Sequence, residues 1–140
     1  MPKKTRVLVI DDDEDIVKLA KIMIGYMGYE VVITTDNLSV LDLLEDNFDL
    51  LLLDIQMPHL DGFEICRLVR QSLFKDIKIV LFSASVDDDV IMKGKEVGAD
   101  EVISKPFSIE KIKETIIRAL ENEPRRRPDL GEDFPQIYAP

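Results

Sequence analysis

Short apolar runs alternate with longer stretches in which apolar residues recur every three or four positions. Runs of this kind are typical of strands buried on both faces, and the longer spacing is typical of amphipathic helices. Gly28 is placed to end the first helix, and Ser108 is placed to cap the last one. The pattern predicts strands at 7–10, 30–34, 50–53, 77–82 and 101–103, and helices at 13–27, 37–45, 63–70, 87–97 and 108–120.

Strict alternation of strand and helix predicts an α/β fold, in which a parallel sheet is covered by helices on both sides. The most apolar run, Leu50–Leu53, is typical of a central parallel strand. Because crossovers between parallel strands are right-handed, few topologies remain. We expect a flavodoxin-like (βα)5 fold with strand order 2-1-3-4-5.

The character of the chain changes from Glu123 onward. Pro124 and the run Arg125–Arg127 are followed by Pro128, Pro135 and Pro140, with little apolar periodicity. Such composition is typical of an extended segment. The sequence therefore predicts one domain over 1–122 and a tail or linker over 123–140.

The composition of the chain narrows the range of functions that we expect for it. The chain has 140 residues, which is enough for one domain with a real core, and its formal net charge is −10. Such an acidic protein repels nucleic acid and anionic lipid, so we expect no direct binding to either. With Cys66 as the one cysteine, no intramolecular disulfide forms. No apolar run approaches the roughly 18 residues of a membrane span, and the expected location is the cytoplasm.

Polar residues follow the predicted strands where the strands end. Asp11–Asp13 follow the first strand, Asp54 the third, Ser83 the fourth and Lys105 the fifth. In an open parallel sheet the carboxyl ends of the strands share one edge, and ligands bind there. We therefore expect several carboxylates, one hydroxyl and one ammonium to converge.

A cluster of carboxylates is costly unless a cation neutralises it. Oxygen ligands without His or Cys select Mg²⁺, Ca²⁺ or Mn²⁺ over zinc or copper. A carboxylate is also a nucleophile that forms an aspartyl-phosphate, and a metal with a lysine neutralises the charge on the transferring phosphoryl group. The cluster favours phosphoryl capture over hydrolysis of a neutral substrate.

The chain resembles the two-component response regulators over about Arg6 to Leu120. The resemblance is carried by an ordered set of motifs, whose order along the chain is more specific than any single one. They are Val9-Ile10-Asp11-Asp12-Asp13, Leu53-Asp54-Ile55-Gln56-Met57-Pro58, Asp61-Gly62, Phe82-Ser83-Ala84, Gly98-Ala99-Asp100 and Lys105-Pro106-Phe107.

The resemblance implies a role for each matching residue. Asp54 is the phospho-acceptor, and Asp12, Asp54 and the backbone carbonyl of Gln56 hold Mg²⁺, with Asp11 contributing directly or through water. Ser83 binds a phosphoryl oxygen. Lys105 pairs with the phosphate, and its peptide bond to Pro106 is cis. The phosphoryl donor is a histidine kinase or phosphotransfer protein, and the chain is not an enzyme with a substrate of its own.

The resemblance also implies an output surface on the fourth helix, fifth strand and fifth helix. Phosphorylation would strengthen pairing with a second copy or with a downstream protein there. Relatives often carry Tyr or Phe three residues before the lysine, and this chain has Val102. We therefore expect a smaller rearrangement, centred on the loop from Ser83 to Asp87.

Simpler interpretations apply to several residues. One of Asp12 and Asp13 can cap the first helix, and Asp87–Asp89 are explained by a helix N-terminus. His59 is expected to be solvated and Cys66 to be a small helix residue.

Three other functions share parts of this pattern. A phosphatase of the haloacid dehalogenase type carries a second Asp where this chain has Gln56. A flavin- or nucleotide-binding protein needs a loop rich in Gly, Ser or Thr where this chain has Asp11–Asp13. A receiver that no longer accepts phosphate would serve only for docking, and the complete set of Asp11, Asp12, Asp54, Ser83 and Lys105 argues against it.

Overall fold

The structure is a computed structural model that describes residues 3–121. In this part of the chain strands and helices alternate, with a 3-10 turn at Asn37–Ser39 before the second helix. The elements are β1 (Arg6–Ile10), α1 (Glu14–Gly25), β2 (Glu30–Thr34), α2 (Val40–Leu44), β3 (Leu50–Asp54), α3 (Gly62–Arg70), β4 (Lys78–Ser83), α4 (Asp88–Val97), β5 (Glu101–Ser104) and α5 (Ile109–Glu121). The predicted tail 123–140 and the boundary after residue 122 lie outside the described residues.

The strands form one parallel sheet in the order β2-β1-β3-β4-β5, which confirms the prediction. The central strand β3 is buried along its whole length, from Leu50 to Asp54. Because every strand runs in the same direction, all five carboxyl ends lie along one edge of the sheet. Asp54, the last residue of β3, is therefore at the middle of that edge.

Alternate side chains of the sheet enter two separate cores. Leu51 and Leu53 pack in the core covered by α2, α3 and α4, and Leu50 and Leu52 pack in the core covered by α1 and α5. All four leucines are fully buried. Full burial of each contributes about 1.5–3 kcal/mol relative to an exposed side chain, which makes β3 a firm support for the residue at its end.

Two predicted helix boundaries need correction. The first helix was expected to reach residue 27 but ends at Gly25, because Met27 N–H and Gly28 N–H bond three residues back, to Ile24 and Gly25. Gly28 does turn the chain, with φ +87°. The predicted helix 37–45 is a 3-10 turn followed by the five residues of α2, since Asn and Ser favour turns over helix interiors.

The helices that frame the functional edge begin at side-chain caps. Asp13 accepts from Asp15 N at the start of α1, and Asp87 accepts from Val90 N at the start of α4. Ser108 Oγ accepts from Lys111 N, 3.0 Å away, as predicted. Since Asp13 makes the α1 cap, Asp12 is left for another purpose.

Candidate functional site

The predicted acids meet at the carboxyl edge of the sheet. One side-chain oxygen each from Asp11, Asp12 and Asp54 lies within 4.8 Å of the others. Asp11 is fully buried and Asp54 is 2% exposed, whereas Asp12 is exposed. The strand ends therefore bring two buried carboxylates and one solvent-facing carboxylate together.

Asp11 is held in place from two directions. Its Oδ1 accepts from Asp13 N at 2.9 Å, and its Oδ2 accepts from Lys105 Nζ at 2.9 Å. The first bond comes from the chain that enters α1, and the second comes from the end of β5. Asp11 is thus oriented by both neighbouring elements before any ligand arrives.

Lys105 reaches the acids from the opposite end of the edge. Its backbone N–H donates to Ser83 O at 2.8 Å, and its peptide bond to Pro106 is cis, as predicted. Its Nζ lies 2.9 Å from Asp11 Oδ2, 3.0 Å from Asp54 Oδ1 and 4.9 Å from the centre of the Phe82 ring. One ammonium therefore faces three carboxylates, so the cluster carries excess negative charge when its members are ionised.

Asp54 is the least satisfied member. Its Oδ1 is ion-paired with Lys105, but it accepts no well-directed hydrogen bond from any residue in the described range. Burial and the negative charge of Asp11 raise the pKa of Asp54 from 3.8 to about 6, against the opposing effect of Lys105. The carboxylate is therefore mostly ionised at neutral pH, but its surroundings disfavour the charge.

The neighbouring groups are shifted by the same causes. Burial and then Asp11, through a hydrogen bond and its charge, raise the pKa of Asp12. Burial alone would lower the pKa of Lys105, but its hydrogen bond to Asp11 and its ion pairs with Asp11 and Asp54 outweigh that effect and raise it. The raised pKa of Lys105 favours its charged form, and this one ammonium does not balance the charge of three ionised carboxylates.

Ser83 ends β4 beside this group and is 2% exposed. Its Oγ accepts from Ser85 N at 3.3 Å, a long bond that leaves the hydroxyl proton free to point elsewhere. Gln56 lies two residues after Asp54 in an exposed position of the β3–α3 loop. Every residue predicted for the site thus lies at or directly after a strand end along one edge of the sheet.

Two residues outside that set shape the β3–α3 loop. A Cβ at Gly62 would lie 2.4 Å from the carbonyl oxygen of Asp54, so a larger residue there would displace the end of β3. Gly62 N also donates to Ile55 O at 2.8 Å. Asn37, which was predicted only as the start of a helix, donates to this loop from the 3-10 turn. The Asp61-Gly62 motif indicated a role for Gly62, and no local sequence pattern indicated the contact made by Asn37.

The side chains fit a hard divalent cation. Three carboxylates, one of which has a buried oxygen without a hydrogen-bond partner, supply ligands of the type that Mg²⁺ prefers, and no His or Cys belongs to the group. His59 lies in the loop with φ +70°, and Cys66 is buried in α3, where its thiol bonds Val97 O. His59 is exposed and Cys66 is a small residue inside a helix, which are the positions expected for them.

The comparisons with known proteins decide the family. The model of the response regulator receiver domain matches residues 7–117. The chain belongs to the response regulator receiver domain family. Its resemblance to two-component response regulators, predicted from motifs, is thereby confirmed.

Individual receivers resemble the chain closely. It is 35% identical to the response regulator MprA of Mycobacterium sp. (strain KMS) over 94% of this chain and 56% of that protein. It is also 35% identical to the nisin biosynthesis regulatory protein NisR of Lactococcus lactis over 87% of this chain and 53% of that protein. The chain thus spans about half the length of these curated relatives.

A solved receiver shows the same architecture. The chemotaxis protein CheY4 of Vibrio cholerae matches with a TM-score of 0.79 and 30% identity, over 84% of this chain and 99% of that one. Within residues 3–121, none of the helices has the length and apolar content needed to cross a bilayer. The family match and the cluster of Asp11, Asp12 and Asp54 together describe the chain as a receiver domain with an acidic cluster at the carboxyl edge of its sheet.

Proposed function

We propose that Asp54 accepts a phosphoryl group with the help of Mg²⁺, and that the phosphorylated receiver signals to a protein partner. The observation that carries the proposal is the state of Asp54, which is buried, has Lys105 as its one ion-pair partner within residues 3–121, and has a pKa raised to about 6. A carboxylate whose surroundings disfavour its charge gains from acquiring both a cation and a covalent partner.

Each side chain of the site has its own role in the proposed phosphoryl transfer. An ionised oxygen of Asp54 attacks phosphorus, an O–P bond forms, and the bond from phosphorus to the donor nitrogen or oxygen breaks with its electron pair leaving on the donor. Lys105, released in part from Asp11 and Asp54, pairs with the incoming phosphoryl oxygens, and Ser83 donates its hydroxyl proton to one of them. Mg²⁺ bound by Asp11, Asp12, Asp54 and the Gln56 carbonyl would supply charge neutralisation.

The donor in this proposal is a histidine kinase or phosphotransfer protein in the cytoplasm. The receiver assists its own phosphorylation and dephosphorylation, and it has no separate substrate. Small phosphoryl donors such as acetyl phosphate share the reactive group and provide a direct test without the cognate kinase.

Intact-mass measurement after incubation with acetyl phosphate and Mg²⁺ tests the proposal. The wild type is expected to gain the mass of one phosphoryl group, and Asp54→Asn none, because an amide is not a nucleophile of this kind. Asp61→Asn is a matched control, since Asp61 caps α3 in the same loop without joining the acid cluster. Equal labelling of Asp54→Asn and wild type would overturn the assignment.

Output is proposed to pass through the face formed by α4, β5 and α5. This face exposes Met92 and Ile109, and its lysines and glutamates are mixed, which suits pairing with a second copy or a downstream protein. A Cβ at Gly94 of α4 would lie 2.8 Å from Val102 Cγ2, so α4 packs tightly over β5 at this point. The change is therefore expected to start in the loop 83–87.

Amide hydrogen exchange with and without beryllofluoride, which imitates a phosphoryl group, tests this route. Changed protection is expected between Ser83 and the end of α5. Changes confined to the surroundings of Asp54 would rule the route out and would leave phosphorylation itself untouched.

A further inference from the structure

The loop after the phospho-acceptor contains a strained three-residue turn. Leu60 N donates to Pro58 O at 2.9 Å, and the residue between them, His59, has φ +70°. A turn of this size with a positive central φ is rare, and a side chain at that position adds steric cost. Such a conformation persists only where the surrounding structure imposes it.

The side chain of Asn37 forms hydrogen bonds to this turn on both sides of His59. Asn37 Nδ2 donates to Pro58 O at 2.7 Å and to Leu60 O at 2.8 Å. Asn37 is 5% exposed, and its amide nitrogen has two protons, one for each carbonyl. One buried amide thus restrains the residues before and after His59.

Asn37 is itself held firmly. It begins the 3-10 turn that follows β2, and Asp36 caps this turn by accepting from Leu38 N at 3.0 Å and from the Ser39 hydroxyl. The restraint on the loop therefore comes from the sheet through a fixed turn, across more than 20 residues of sequence.

The hydrogen bonds of Asn37 matter because the β3–α3 loop also contains Gln56. At its base, Gly62 N donates to Ile55 O at 2.8 Å and closes the loop directly behind Asp54. At its tip, Asn37 fixes Pro58 and Leu60. Gln56, whose carbonyl is the proposed metal ligand, lies between these two ties.

We propose that Asn37 is a positioning residue that holds the β3–α3 loop in its strained form and so presents the Gln56 carbonyl to the cation. This inference rests on the proposed Mg²⁺ site. It explains why an amide suits position 37, because an ionised carboxylate there would face two carbonyl oxygens with no proton to donate.

Mg²⁺ affinity, measured by calorimetry, separates positioning from mere structural support. Asn37→Ala is expected to weaken Mg²⁺ binding about tenfold, the usual scale for residues that orient metal ligands. Asn37→Asp, nearly the same shape, is expected to weaken it at least as much. Hydrogen exchange should show faster exchange within residues 56–61 in both variants.

A control variant isolates the contact. Val69→Ala lowers global stability from the buried face of α3 and is expected to keep wild-type Mg²⁺ affinity. Ser39→Ala loosens the capped turn that carries Asn37 and is expected to weaken Mg²⁺ binding, but by less than Asn37→Ala does. If Val69→Ala weakens binding as much as Asn37→Ala, stability alone explains the effect and the inference is wrong.

The remaining outcomes are distinguishable. Wild-type affinity in Asn37→Ala, alongside measurable binding by the wild type, overturns the inference and leaves the proposed function standing. No Mg²⁺ binding by the wild type itself overturns the proposed function and this inference together.

Discussion

Two buried ion clusters within residues 3–121 are built in opposite ways. Arg70 and Asp100 meet at the amino end of β4, where Asp100 Oδ2 accepts from Arg70 Nη2 at 3.0 Å and from Ile79 N at 2.8 Å. Arg70 also donates to the carbonyls of Gly98, Lys75 and Ile77. At the carboxyl edge, Lys105 is ion-paired with Asp11 and Asp54, and Asp54 Oδ1 gains no hydrogen bond from any residue in 3–121.

The difference indicates that the Arg70 cluster stabilises the fold, whereas the cluster around Asp54 is suited to binding a ligand. Both clusters are costly to desolvate, and several directed hydrogen bonds offset that cost around Arg70 and Asp100 but not around Asp54. Around Asp54 the cost remains and shows as a raised pKa. Natural proteins tolerate buried polar groups without hydrogen-bond partners at functional sites. The cluster around Asp54, which is the incomplete one, is therefore the one expected to bind a ligand.

The largest effect is expected from Arg70→Met, which leaves Asp100 buried without its cation. Breaking such a pair costs about 3–5 kcal/mol of unfolding free energy, measured by urea denaturation. Arg118→Met is the control, because Arg118 pairs with Glu101 while its side chain is 50% exposed, and that loss should stay below about 1 kcal/mol. Equal losses in the two variants would contradict the proposed contrast.

Asp54→Asn is expected to act in the other direction. Removing a buried charge that its surroundings disfavour should stabilise the metal-free protein at pH 7 by about 1–2 kcal/mol, after allowance for solvent screening. The measurement is the urea unfolding free energy with a chelator present. A loss of stability would show that the ion pair with Lys105 outweighs burial and Asp11.

The gain from Asp54→Asn should depend on pH. Since the folded pKa of Asp54 lies at about 6, above its unfolded value of 3.8, the folded state holds its proton more tightly. Rising pH therefore removes stability from the wild type between these two values, and the full penalty persists above them. The difference between variant and wild type should be small near pH 3.5 and level off above pH 6.5. A difference that does not change with pH would assign the gain to packing.

Asp12→Ala is expected to have the smallest effect on the metal-free fold, because Asp12 is exposed. Its raised pKa predicts a slight gain in stability at neutral pH as a charge repelled by Asp11 is removed. Mg²⁺ affinity, measured by calorimetry, should nevertheless fall clearly. Unchanged affinity would remove Asp12 from the proposed ligands.

The sheet was predictable because each strand is a short apolar run with its own local signal. Leu50–Leu53 marked the central strand, and the polar residues after each run marked the functional edge. Parallel topology then placed Asp11, Asp54 and Lys105 together without knowledge of any contact between them.

What the sequence pattern could not reveal depends on distant contacts. Asn37 meets Pro58 and Leu60 across more than 20 residues, and its neighbours in sequence carry no trace of that contact. The Arg70 cluster likewise joins the end of α3 to the α3–β4 and α4–β5 loops, which no periodicity connects. The early end of α1 at Gly25 reflects a choice of hydrogen bonds that apolar spacing does not record.

The most direct measurement is the unfolding free energy of wild type and Asp54→Asn as Mg²⁺ is raised from zero at pH 7. A ligand that binds only the folded state stabilises it by an amount that grows with the logarithm of concentration above the dissociation constant. The wild type is predicted to gain stability with Mg²⁺ until it matches or passes Asp54→Asn, which gains much less. Equal responses, or no response in the wild type, would contradict the claim that the edge around Asp54 is completed by a cation.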